Sequence, residues 1–135
     1  MEQEGVYQKL LGFLGSAIAA FPDLRKGKNQ RYSMVDIARG AFGVFFCQSP
    51  SFLAHQQLME QAQGRNNGRT LFGVQRLPSD NHIRAQLDAV DPQLLRPVFQ
   101  QTSQYLIREK VLEKFRSVGN TLLVEIGRAS WRETV

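Results

Sequence analysis

The stretch from Ser33 to Gln48, SMVDIARGAFGVFFCQ, constrains this chain more than any other. Met34, Ile37, Ala38, Ala41 and Phe45 recur at helical spacing, and Val35, Phe42 and Phe46 form a second row beside them. Only Asp36, Gly40 and Gly43 are left as a narrow polar or small strip. A helix apolar over most of its circumference needs other elements on several sides, so this one is predicted to be the centre of a core. Ser33 with Asp36 three residues on has the form of a capping box and marks the start. Ser49-Pro50 reads as a new N-cap followed by proline at the first helical position, which predicts a sharp turn into a second helix.

The remaining elements are predicted from the same signals. Residues Glu2 to Phe21 form a first helix with Val6, Leu10, Phe13, Leu14, Ala17, Ile18 and Phe21 on one broad face. Pro22 ends it, because the residue before proline disfavours the helical region. Leu24 to Tyr32 is a polar, basic loop. The helix from Pro50 to Gln63 presents Phe52, Leu53, Gln56, Leu58 and Met59, with His55 as a polar position, and GRNNG (64–68) is a loop by composition. TLFGV (70–74) is either extended or tucked against the core. Ser79 caps a helix carrying Ile83 and Leu87. Asp91-Pro92 opens the longest helix, to about Arg116, which Pro97 should bend or delay. After the Gly119-Asn120 turn, Thr121 to Val124 reads as a short buried strand.

A chain of 135 residues suits one hydrophobic core. Its longest apolar run is interrupted by Arg39 and falls short of the roughly 18 residues that span a membrane. The acidic start MEQEG does not resemble a secretory leader, and Cys47 is the only cysteine, so no internal disulfide can form. These features lead us to expect a cytoplasmic protein without a membrane partner. The net charge of +5 makes an anionic partner plausible. Arg25, Lys26, Lys28 and Arg31 fall within seven residues that contain no acid; Arg65, Arg69, Arg76 and Arg84 follow with Asp80 as the sole acid between them. Such residues could contact phosphates, the alternative being a solvated basic loop. Asn81, His82 and Arg84 stand at a helix start from which asparagine can read adenine and arginine guanine. Asp36, Asp80 and Asp91 each have a role at a helix terminus, so no carboxylate pair points to catalysis. His55 and His82 lack metal-site spacing, and Cys47, at the end of an apolar run, is expected to be buried and inert.

Taken in order over 21–124, the phrases FPDLRKGKNQRYSMVDIARGAFGVFFCQSPSFLAHQ, TLFGVQRLPSDNHIRAQLD and GNTLLV resemble the N-terminal region of insertion-sequence transposases of the DDE class. The resemblance implies a mainly α fold: a helical DNA-binding domain over 1–118, followed at 119–124 by one short terminal β-strand from the start of an RNase H-like domain. It also implies binding to double-stranded DNA at the element's ends in a bacterial cytosol, close to the nucleoid, with self-association through the full-length transposase. The family's first catalytic aspartate would fall near Gly127, where this chain reads Glu125-Ile126-Gly127-Arg128. The chain is therefore expected to be no enzyme as it stands and to hold no cofactor, the magnesium ions belonging to the full-length family enzyme. Residues 125–135, EIGRASWRETV, resemble a translated sequencing adapter and are expected to be foreign. On the residues alone, a stand-alone basic helical protein-interaction module is the alternative. With the family in view, Arg25, Lys26, Lys28, Arg31, Arg65, Arg69, Arg76, Asn81, His82 and Arg84 are the candidate DNA contacts.

Overall fold

The computed structural model describes residues 5–27, 30–61 and 67–122. Within them the fold is mainly helical, carried by α1 (Val6–Ile18), α2 (Met34–Phe46), α3 (Phe52–Glu60), α4 (Asp80–Leu87) and α5 (Arg96–Arg108). Residues 67–70 are also helical, and short 3-10 turns cover Pro92–Leu95, Glu113–Phe115 and Val118–Asn120. No helix is long and apolar enough to cross a membrane among the described residues.

The central position of α2 follows from its composition: it packs on α1, α3 and α4. Ser33 fixes its start, the hydroxyl accepting the Asp36 N–H at 3.0 Å. Its burial is one-sided rather than all round. Asp36, Gly40 and Gly43, the narrow polar or small strip, are buried with Ile37, Ala38, Ala41 and Val44. Phe45 is instead 73% exposed and Phe46 53% exposed. The cause is steric. A Cβ on Gly43 would lie 3.1 Å from His55 Nε2, so the missing side chain admits the neighbouring helix close to the axis. The rings displaced outward pack on one another, Phe42 on Phe46 at 5.5 Å and Phe46 on Phe72 at 5.7 Å. Asp36 does not complete a capping box either. Its carboxylate accepts the Gln75 N–H at 2.7 Å, tying the segment before α4 to the first turn of α2.

The start of α3 also differs from the reading. Ser51, not Ser49, is its cap, its hydroxyl accepting the Ala54 N–H at 3.1 Å, so Pro50 lies ahead of the helix. Ser49 is turned to His55, with 3.0 Å between Oγ and Nδ1. The helix consequently buries His55 and Met59 and exposes Leu53 and Leu58. TLFGV is tucked in: Phe72 and Val74 are buried and form one core cluster with Met59, against which Phe42 and Leu77 pack. A second cluster joins Ile37 and Ala41 to Ile83 of α4, which Ser79 caps as expected. Of the GRNNG loop, residues 67 and 68 belong to a helical stretch rather than a loop, and 64–66 lie outside the described residues.

The helices nearest the two ends pair with each other. α1, shorter than expected and burying Leu11, Ala17 and Ile18, packs on α5, where Phe13 meets Tyr105 edge to face at 6.0 Å. Asp91 caps the turn that precedes α5, accepting the Gln93 N–H at 2.9 Å, and Pro97 delays the α-helix proper to Arg96. It stops at Arg108, well before Arg116, because Lys110 takes a left-handed φ of 56°. Of the predicted strand at 121–124, the described residues show one antiparallel bridge, between Arg116 and Leu122. Gly119 and Asn120, both with positive φ, fold the chain back on its own preceding residues rather than onto a sheet. Residues 123–124 and the 125–135 tail lie outside the described residues.

Candidate functional site

A cleft of about 790 Å³ opens between the middle of α2, the end of α3 and residues 68–77. Its apolar lining is Met59, Phe72, Val74 and Leu77. Arg31, Arg39, Arg69 and Arg76 line the cleft as well, with Glu60 the one carboxylate among the described lining residues. A guanidinium suits an anion because it offers a planar fork of N–H donors.

Each arginine arrives by a different local cause. Arg31 precedes the cap of α2 and lies over the Tyr32 ring, 5.5 Å from its centroid. Arg69 is carried by the 67–70 helical stretch. Arg76 follows Gln75, whose N–H is held by Asp36. Arg39 stands in α2 between buried Ala38 and Gly40, and its Nε is buried with no hydrogen-bond partner. Its guanidinium fits between two glycines. A Cβ on Gly15 of α1 would come within 3.3 Å of Nη2, and one on Gly73 would collide with Nη1. Gly73 has a second reason to be glycine, a φ of +64°. Tyr7 fixes the same corner, donating from its hydroxyl to the Leu71 carbonyl at 2.7 Å. Burial pushes the Tyr7 phenol above its ordinary pKa, with Cys47 adding to the rise and Arg39 opposing it.

Three of the residues singled out from sequence, Arg31, Arg69 and Arg76, are thus brought together. Others have different occupations. Arg25 is a brace: it forms a bidentate pair with Asp23 at 2.6 and 2.7 Å and donates to the Tyr32 carbonyl at 2.6 Å. Arg84 is paired with Asp80 at 2.6 Å and lies over the Phe52 ring, its side chain still 59% exposed. His82 is half-buried against Tyr32, its Nε2 enclosed without a partner, so it faces the fold rather than a groove. Lys26 and Asn81 are exposed and lie outside the cleft, while Lys28 and Arg65 lie outside the described residues. The reading missed Arg39. Its signal was present as the lone cation inside the most apolar stretch of the chain.

Two further expectations are corrected. His55, read as a polar position of its helix, is 3% exposed and belongs to the buried face, and burial lowers its pKa so that the neutral ring is favoured. Its Nδ1 meets Ser49, but its Nε2 side packs toward Gly43 instead of a carboxylate, so the pair has no third group to orient a base. Cys47 is exposed, and partial desolvation raises its thiol pKa, the opposite of an activated nucleophile. No group of three or more His, Cys, Asp or Glu is placed to hold a metal among the described residues. Compared with family models, curated proteins and solved structures, the chain matches none.

Proposed function

We propose that this chain binds DNA as the N-terminal part of an insertion-sequence transposase of the DDE class, engaging the element's ends without carrying the catalytic acids. The observation that carries the DNA-binding reading is the convergence of Arg31, Arg69 and Arg76, far apart in sequence, on one cationic cleft around Arg39. Lys26, exposed outside the cleft, is a further cation available to phosphates. Such a surface gains affinity by releasing condensed counterions from phosphates, which is independent of base sequence and steeply dependent on salt. The transposase assignment rests on the ordered phrases from Phe21 to Val124, and magnesium would enter only with the catalytic domain of the full-length family enzyme. A second reading is a protein-interaction module. The exposed Phe45, Phe46 and Leu53 at the α2–α3 corner favour it.

Fluorescence anisotropy with duplexes, titrated over a range of salt, separates the two. The DNA reading expects binding that weakens steeply with salt and prefers inverted-repeat ends over a scrambled duplex. Replacing Arg31, Arg69 and Arg76 together by Ala should weaken binding to both duplexes and reduce the salt slope by about three. Unchanged affinity and slope in that variant would remove the reading.

A further inference from the structure

We infer that Arg39 forms the floor of a phosphate-binding site, and that the cleft takes a phosphorylated ligand of about nucleotide size. The inference starts from a contrast between two arginines. Arg25 braces its loop in the ordinary way, with each side of its guanidinium satisfied by Asp23 or the Tyr32 carbonyl. Arg39 is held by shape instead. Gly15 and Gly73 leave room for its guanidinium, and the ion pairs formed among the described residues take up Arg25, Arg84, Arg108 and Arg116 but not Arg39. Its Nε is buried and donates to nothing. Burying a donor of a charged group without an acceptor is costly, and each such group calls for an explanation; a bound anion that draws the guanidinium toward the cleft it lines is one.

The chemistry of that ligand follows from the walls. A guanidinium presents parallel N–H groups that match two oxygens of a phosphate, and Arg31, Arg69 and Arg76 add positive charge around the same space. A lone inorganic phosphate would leave most of the roughly 790 Å³ empty. Met59, Phe72, Val74 and Leu77 line the same cleft and supply its apolar part, suited to a weakly polar group attached to the phosphate. A nucleotide has both parts. It can be free or the end of a strand, and the shared chemistry is the phosphate with a base beside it. This reading goes beyond the DNA surface proposed above and does not depend on it.

The test measures binding of inorganic phosphate, adenosine monophosphate, adenosine and a 5′-phosphorylated oligonucleotide to the full chain by calorimetry, with melting temperature as the check on folding. Inorganic phosphate should bind weakly, adenosine monophosphate more tightly and adenosine not measurably. Arg39→Lys keeps the charge and stem but loses the fork, and should weaken adenosine monophosphate binding by about tenfold or more. Gly15→Ala presses on Nη2 from α1, a milder displacement that should weaken binding without lowering the melting temperature. Arg84→Ala, outside the cleft, should bind as the wild type does. If the oligonucleotide binds more tightly than adenosine monophosphate, the source is a nucleic-acid end; equal or weaker binding identifies a free nucleotide. Either ordering supports the site. A wild-type chain that binds none of the phosphorylated probes overturns it, as does a folded Arg39→Lys variant that binds them undiminished. Duplex binding without Arg39-dependent phosphate binding would sink this inference alone, and the reverse pattern would sink only the DNA reading.

Discussion

Asp36→Ala isolates the contact on which the cleft's geometry depends. Asp36 is 6% exposed, and its carboxylate accepts the Gln75 N–H at 2.7 Å. A hydrogen bond to a charged acceptor contributes about 1.5–3 kcal/mol. A carboxylate in the first turn of α2 adds about 0.3–1 kcal/mol through the helix dipole. Alanine returns part of this, roughly 0.5 kcal/mol in helix propensity, and also relieves the desolvation of the carboxylate. The net expectation is a loss of about 2 kcal/mol, to be read from urea unfolding followed by far-UV circular dichroism at constant slope. Asp36→Asn keeps an acceptor without the charge and should lose about half as much. Because Gln75 precedes Arg76, the alanine variant should also weaken binding in the cleft beyond its effect on stability. A loss below about 0.5 kcal/mol, or equal losses for the two variants, would refute the argument that this bond anchors the 74–78 segment.

Phe42→Ala should cost about 2–3 kcal/mol, less than for a fully enclosed ring, because Phe42 is half-buried among Phe46 and Phe72; a loss above about 4 kcal/mol in urea unfolding would contradict that packing. Gly43→Ala sets a gain of up to about 1 kcal/mol in helix propensity against an overpacking cost of about 1–3 kcal/mol, since His55 is held by Ser49 and cannot retreat. The expected result is net destabilisation, and a more stable variant would show that His55 yields. His55 also predicts a pH dependence. Its folded pKa is lowered by burial, so the unfolded chain binds the proton more readily. The contribution is fully present above the unfolded value of about 6.5 and is lost as pH falls through the window down to the folded pKa. Stability measured across that window should decline toward acid in the wild type and decline less in His55→Gln; parallel profiles would exclude His55 as the cause.

How much could be read in advance depended on the kind of signal. Caps were legible because a hydroxyl or carboxylate at a helix start acts within three residues: Ser33, Ser79 and Asp91 all cap as expected. Helix existence and the central place of α2 followed from apolar periodicity. Which face of α2 is buried did not. Counting apolar residues favours the Phe45 side, whereas closeness of approach favours Gly40 and Gly43, and closeness prevailed because Pro78 and His55 fill the strip. Ser49 and Ser51 are equally good caps on paper, and only the bond from Ser49 to His55 separates them. In the cleft, charge density along the chain pointed to Arg31, Arg69 and Arg76 but also to Arg25 and Arg84, whose nearby carboxylates Asp23 and Asp80 engage them. Arg39 was not legible as a site residue because a single cation in an apolar helix carries no pattern; its meaning comes from Gly15 and Gly73, which sequence does not place beside it.

The pairing of α1 with α5 gives the molecule a clasp. Phe13 and Tyr105 touch across a separation of about 90 residues, and α2, α3 and α4 lie in the chain between them. The inner helices can assemble through short-range contacts, but the clasp must close a long loop before any of its packing is recovered, which places it late in folding. Its outer half is also weakly anchored, since α5 contributes no fully buried residue. Amide protons of α5 should therefore exchange ahead of those in α2, as the outer layer opens while the centre holds. Gly15 lies on the α1 side of that clasp and against Arg39. Opening of the outer layer would loosen one wall beside the guanidinium, linking the order in which the chain assembles to the moment at which the cationic floor acquires its shape.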